Sequence, residues 1–395
     1  MPPSSTPIVR TGARAPAQLS GSDRAWARWR SSSLAYTVGV EEEVMLVDAQ
    51  NHRLAYGADS ALEAFSEELR THLAPETHAC VLELRTGAHP TVTGALRELR
   101  RTRSALTCEL APLGMQAACA GTHALASHAG SSNSDAPRYQ RVAETMRSLA
   151  HREATMALHV HVGIPRAEDA VRVFNRLREN IPVFIALSAN SPFVNGSDTG
   201  FDSARTTIFG GFPRTGAPRT FRSYMHYVNA VDALIAPGAI ADPTFLWWDV
   251  RLQPTLGTVE VRAMDAQTAL DEAAPLIALV QSLARLELEG APLTHSTAPE
   301  VLEENRFLAA RDGVEARLID GAGQRLEPLP VLVTRLIEEC RPHAAELRCA
   351  AALENLSQLL SANGASHQRA CASRHGLSSV VPAIADEFTR QSSRW

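Results

Sequence analysis

Four segments of the chain alternate apolar and ionisable residues with a period of two, as strands do when their faces meet different surroundings. In residues 37–48, TVGVEEEVMLVD, one face takes Gly39, Glu41, Glu43, Met45 and Val47, the other Val40, Glu42, Val44 and Leu46. Residues 80–86, CVLELRT, set Val81, Glu83 and Arg85 against Leu82 and Leu84. Residues 156–165, MALHVHVGIP, set His159 and His161 against Val160 and Val162, and residues 257–264, GTVEVRAM, set Glu260 and Arg262 against Val259 and Val261. Residues 245–251, FLWWDVR, predict one more strand, joined to the last by a turn with Pro254 and Gly257, and residues 115–119 a short one. Apolar residues at helical spacing predict helices over 60–73, 91–110, 137–149, 167–188, 269–288, 299–310 and 329–339. The segment 190–218 is dense in Gly, Pro, Ser and Asp and longer than an ordinary connection, which reads as a functional loop or lid. Residues 1–33, rich in Pro, Ser, Ala and Arg without periodicity, read as a disordered tail ahead of one domain over 34–395 with a helical C-terminal part.

The simplest architecture for this order is α+β: a curved, mostly antiparallel sheet with helices on its apolar face and a charged concave face opposite. The 395 residues, 45% hydrophobic and 21% charged, allow a sizeable core. A net charge of -5 gives no electrostatic reason for a nucleic acid or an acidic membrane as partner. No apolar run reaches the roughly 18 residues needed to span a bilayer. The start lacks the apolar stretch of a secretory signal, so the expected location is cytoplasmic. Six scattered cysteines without a CxxC pair argue against a four-cysteine zinc site and a disulfide framework.

Two carboxylates two residues apart on a strand point the same way, roughly 7 Å apart. In a core they repel and are costly to desolvate. For one strand a solvent-facing acidic edge is explanation enough, and a lone histidine is most simply a satisfied core imidazole. Recurrence over four apolar strands is not explained that way. Carboxylates crowded on one face with imidazoles among them suit Mg²⁺ or Mn²⁺. Arg85 and Arg262, with Arg205, Arg214 and Arg219 in and just after the 190–218 segment, suit a substrate that brings its own anions. Together these describe a nucleotide phosphoryl-transfer site. The sequence has no GxxxxGK[ST] and no GxGxxG after a strand, so phosphates fall to metals and side chains; GxSxG and HExxH are also missing.

The motifs GVEEE at 39–43, LELRTG at 82–87, GTH at 121–123, LHVHVG at 158–163, the LSANSPF–NGSDTGF–PRTG run, WWDVR–GTVEVRAMD and ENRFLAARDG at 304–313 together resemble the YbdK-type carboxylate–amine ligases of the glutamate–cysteine ligase type 2 family. The resemblance spans about 35 to 320 and departs at Ala124 and Leu252, where the family usually has proline. It implies a glutamine-synthetase-like fold binding ATP and two or more Mg²⁺ on the concave face. Carried over by position, Glu41, Glu43, Glu83, His159 and Glu260 become metal ligands, and His161, Arg262 and Arg85 nucleotide or phosphate contacts. Arg262, with Arg251 and Arg205, becomes the stabiliser of developing oxyanions. The implied activity joins L-glutamate to L-cysteine through an acyl phosphate, with small amino acids as the partners. Two rivals are a guanidino-kinase-like phosphotransferase and a non-catalytic ATP-binding relative. An exposed sheet edge suggests a homodimer.

Overall fold

The computed structural model describes residues 24–31, 34–126, 132–294, 296–321 and 325–393. Seven strands form its main sheet: β1 (Val38–Asp48), β2 (Leu73–Pro75), β3 (Val81–Arg85), β4 (Met115–Ala118), β5 (Ala157–Gly163), β6 (Val250–Gln253) and β7 (Thr258–Asp265). Their order is β6–β7–β5–β1–β3–β2, antiparallel throughout. β4 pairs with the C-terminal half of β1, on the side opposite β3. The four patterned segments are thus four adjacent strands, and the α+β class expected from alternation is the one found.

The apolar face holds Val40, Val44, Leu46, Leu82, Leu84, Val160, Val162, Val259 and Val261, all buried. Helices Val92–Leu110, Ala167–Glu179 and Leu270–Glu289 pack over it. Thr91, whose side chain accepts from the Gly94 amide, caps the first of these. Glu42 points to this same face. It meets Arg103 of helix Val92–Leu110, both side chains fully buried.

β7 breaks its alternation. Its pairing with β5 shifts between Val261 and Met264, a bulge that inserts one residue. A one-residue shift exchanges the faces of everything beyond it. Met264 therefore enters the core, and Asp265 turns to the polar side.

Several expected elements are divided. The 60–73 helix is two short ones, Ala58–Ala64 and Glu67–Arg70: Phe65 is extended and the Ser66 hydroxyl caps the second. The 167–188 helix breaks at Asn180, two residues before Pro182, into Ala167–Glu179 and Ile181–Ser188. The 137–149 helix ends as Pro137–Met146 and a 3₁₀ turn. The 245–251 strand splits at Asp249. Trp247–Trp248 pairs in parallel with Thr215–Gly216, while the Asp249 carboxylate takes the Arg306 Nε donor at 2.6 Å. The 329–339 helix runs to Glu346.

The segment read as a lid is a pinned wall. It contains the hairpin Phe193–Val194/Ser197–Asp198 and helix Ala204–Phe209. The Asp265 carboxylate accepts from Ser191 Oγ at 2.6 Å, Ser203 Oγ at 2.8 Å and the Asn190 amide at 2.9 Å. Residues 1–23 of the expected tail lie outside the described residues. Residues 24–31 sit against the body: Trp26 Nε1 donates to Asp232 and Trp29 Nε1 to the Ile164 carbonyl. No helix among the described residues is long and apolar enough to cross a membrane.

Gly121 lies where this wall meets β7. A Cβ there would stand 2.8 Å from the Asp265 carboxyl carbon and 2.9 Å from Ser191 Cβ. Gly121→Ala is expected to destabilise the protein by about 1–3 kcal/mol, read as a lowered thermal midpoint.

Candidate active site

Antiparallel register lines up side chains of adjacent strands in rows on one face. Pairing places Arg251 beside Glu260 and Glu260 beside His161. The next row is His159, Glu41 and Arg85, and the one after sets Glu43 against Glu83. All ionisable residues singled out on the four strands therefore meet in one basin. A cavity of about 510 Å³ opens over it. Glu41, Glu43, Glu83, Arg85, His159, Arg205, Arg251 and Arg262 line it. His161 and Glu260 lie just beneath, buried.

The basin has two electrostatic halves. In one, opposite charges are matched. Glu260 accepts from Arg251 Nε at 2.9 Å, from Gln253 Nε2 at 2.8 Å and from Arg262 Nη1. His161 Nε2 is 3.4 Å from Glu41 Oε1 and 3.7 Å from Glu260 Oε1. His159 Nδ1 is 3.3 Å from Glu41 Oε2, and its Nε2 is 3.7 Å from Glu43 Oε1. Burial opposes the charge on Glu41, but His161 and His159 outweigh it and hold the carboxyl well below its usual range. Glu260 is likewise lowered, because Arg251 and Arg262 overcome its burial. Burial acts against protonation of His161, yet Glu41 and Glu260 raise its pKa. Burial, reinforced by Arg262, lowers that of His159 to about 4.

In the other half carboxylates face each other. Glu43, Glu83 and Glu76 offer oxygens within 4.8 Å of one another. Burial, reinforced by Glu76, pushes Glu43 up to about 8. Burial and then Glu41, Glu76 and Glu43 drive Glu83 well above the carboxylate range. Glu76 is also raised, chiefly by burial. Two further triads adjoin: Glu41, Glu83 and His159, and Glu41, His161 and Glu260. Hard oxygen donors with one imidazole, packed too closely to be charged together, fit a divalent cation such as Mg²⁺ or Mn²⁺. The fit is better for the Glu43–Glu76–Glu83 end than for Glu260, whose oxygens two guanidinium groups already engage.

Arg205 comes from the wall rather than from the sheet. Its Nη1 and Nη2 donate to the Ala263 and Arg262 carbonyls at 3.3 and 3.1 Å. The Nε donors of Arg205 and Arg262 are buried without a hydrogen-bond partner among the described residues. Arg85 is the most exposed of the group, its Nε 3.9 Å from Glu83. Arg214 and Arg219 do not line the cavity; each stacks on an aromatic ring, Trp247 and Phe221 respectively.

Sequence reasoning missed Glu76. It follows a three-residue strand, too short to show alternation, and only its type marks it out. It also missed Arg138 and Tyr139, which line the cavity from helix Pro137–Met146; Tyr139 Oη donates to Glu76 Oε1 at 3.3 Å.

A family model described as glutamate–cysteine ligase family 2 matches residues 37–389. A protein of Rubrobacter xylanophilus, provisionally named glutamate–cysteine ligase 2-3, is 41% identical over 90% of this chain and 98% of its own length. A second from that organism, provisionally named glutamate–cysteine ligase 2-1, is 37% identical over 90% of this chain and 95% of its own. Among solved structures, the glutamate–cysteine ligase of Francisella tularensis in complex with AMP superposes with a TM-score of 0.68 at 13% identity, covering 93% of this chain and 91% of that one. A bifunctional glutathione synthetase of Pasteurella multocida gives 0.65 at 14% identity, over 91% of this chain and 53% of that one. These two likenesses show the fold.

The raised carboxylates make metal-free stability depend on pH. A group whose pKa is higher folded than unfolded contributes stability below its unfolded value and loses it as pH rises through the folded one. Glu43 acts this way from 4.5 to about 8, and Glu76, Glu83 and His161 act in the same direction. His159 opposes them only below its ordinary 6.5. The thermal midpoint of metal-free protein is expected to fall between pH 6.5 and pH 8, and added Mn²⁺ to restore it most at the alkaline end. A midpoint flat across that window, with and without Mn²⁺, would contradict the assignment.

Proposed function

The chain belongs to glutamate–cysteine ligase family 2, and from that membership and the divided charge of its basin we propose an ATP-dependent carboxylate–amine ligase. The substrates we propose are L-glutamate and L-cysteine, with γ-glutamylcysteine, ADP and phosphate as products. The observation that carries this reading is the pairing, in one cavity, of three carboxyl groups packed too closely to be charged together with guanidinium Nε donors that have no hydrogen-bond partner among the described residues. The first asks for metal and the second for anionic oxygens; a nucleotide triphosphate with a carboxylate acceptor satisfies both. The AMP bound by the Francisella ligase, which has this fold, supports a nucleotide as the ligand.

Glu43, Glu76 and Glu83, with Glu41 and His159 beside them, would hold Mg²⁺. Bound there, the metal would supply the positive charge that neutralises phosphate oxygens during transfer to a substrate carboxylate. Arg262 and Arg205 line the cavity with Nε donors that are buried and unpartnered among the described residues, and in such surroundings a hydrogen bond to a developing oxyanion is worth most. Glu260 fixes the planes of Arg251 and Arg262 before any ligand arrives. That pre-organisation spares the ordering cost a long side chain otherwise meets on binding. The resulting acyl phosphate is attacked by the amine, the carbon–oxygen bond to phosphate breaks as the amide forms, and the amine's proton leaves with the released phosphate. The pinned 190–218 wall closes one side of the cavity against water.

The deciding experiment is an ADP-release screen over pairs of amino acids with Mg²⁺, followed by mass spectrometry. A product weighing the two amino acids less one water supports the ligase. A phosphorylated amino acid points to a phosphotransferase, and no release with any pair rejects the proposal. Glu43→Gln is expected to lower ligation at limiting Mg²⁺ by about 100-fold or more, since even outer partners of a metal site cost 10- to 100-fold. Arg262→Met is expected to lower kcat more than it raises the KM for amine. Unchanged turnover in either variant would remove that residue from the site.

A further inference from the structure

The middle carboxylate of the GVEEE motif has no part in the basin, yet it is held more completely than its neighbours. Glu42 points away from Glu41 and Glu43 into the helix layer and is fully buried. Arg103 Nε donates to its Oε2 at 2.7 Å, and Arg103 Nη2 donates to Oε1. The same guanidinium donates from Nη1 to the Thr268 carbonyl and from Nη2 to the Gln267 carbonyl, each at 2.9 Å. Its remaining face is closed by the Phe388 ring, 4.5 Å from the guanidinium carbon to the ring centre. Phe388 is fully buried and belongs to the C-terminal helix Val380–Ser393, which packs on helix Val92–Leu110 and on β4.

One side chain therefore ties three parts that are distant in sequence. Glu42 stands for β1, whose flanking residues are the basin carboxylates Glu41 and Glu43. Gln267 and Thr268 lie two and three residues past the end of β7, which carries Glu260, Arg262 and Asp265. Phe388 brings in the end of the chain. A planar fork with five donors can hold this arrangement, and a lysine cannot. The basin needs β1 and β7 in fixed relation, because its rows run through β5 from one to the other. The pair at Glu42 joins the two from behind the sheet.

We infer that Arg103, keyed by Glu42 and sealed by Phe388, is a positioning residue for the basin: it sets the spacing between the β1 carboxylates and the β7 arginines, and through it the C-terminal helix governs metal affinity. The inference rests on the metal-dependent reading above. It differs from a plain stability role in what it predicts. Replacing both members of a buried ion pair by apolar residues of similar size leaves folding nearly intact, whereas removing one strands a charge. The variant carrying Glu42→Met and Arg103→Met together is therefore expected to fold, with a circular dichroism spectrum like the wild type.

Its Mn²⁺ dissociation constant, measured by electron paramagnetic resonance without nucleotide, is expected to rise about tenfold, inside the range by which residues that touch no ligand alter binding. Phe388→Leu, which keeps the core filled but uncovers the guanidinium, is expected to shift it in the same direction by a smaller factor. It also decides the matter should the double variant not fold. Mn²⁺ binding in the folded double variant within about twofold of wild type, or binding in Phe388→Leu that does not differ from wild type, would overturn the inference. The two claims fail separately. A wild type that binds Mn²⁺ but ligates no amino acid sinks the ligase proposal and leaves this comparison standing. A wild type that ligates, beside variants with unaltered Mn²⁺ binding, sinks only the positioning role.

Discussion

Carboxyl groups held too close together to be charged at once are the constraint on which this structure turns. Glu43 of β1 and Glu83 of β3 are direct cross-strand neighbours, with Glu76 beside them. In a sheet such partners stand about 5 Å apart, and like charges there weaken the pairing. The cost is borne by the opposite face, where valines and leucines of the same strands are buried beneath three helices. β1 can carry an adverse row because its other side is so firmly packed. The other half of the basin needs no such support, since Glu41, Glu260, His161, Arg251 and Arg262 compensate one another. The site thus divides into a part complete in itself and a part whose carboxyl groups crowd one another.

Much of this was legible in the chain. Alternation in 37–48, 80–86, 156–165 and 257–264 identified four strands, their polar faces and the residues on them, because a period of two is unambiguous when one face is uniformly apolar. The antiparallel α+β class followed from the order of elements. Registers were not legible, so Glu43 opposite Glu83 and Glu260 beside Arg251 emerge only from the fold. Helix breaks at Phe65 and Asn180 were hidden by continuous apolar spacing. The strand at 245–251 divides because Asp249 has a partner 57 residues away in Arg306, and no local pattern reports such a pair.

Partners behind the sheet were equally silent. The reading of 37–48 assigned Glu42 to the apolar side without saying what would meet it. Arg103 was one of many arginines on a helix with an otherwise polar surface. Period tells which way a side chain points; it does not tell what stands there. The same limit concealed Glu76 and Asp265. One sits in a loop without periodicity, and the other lies past a bulge that reverses the phase of its strand.

That bulge also bears on how the chain can change over evolutionary time. Loops usually absorb gained or lost residues, and strand interiors seldom do. A regular ladder through the same residues would set Ala263 opposite Leu158, swing Asp265 inward and release Ser191 and Ser203 together. Lineages descended from this sequence are thus free to vary many surface turns, whereas an irregularity inside a strand is as much a part of the wall's anchorage as the carboxylate it presents.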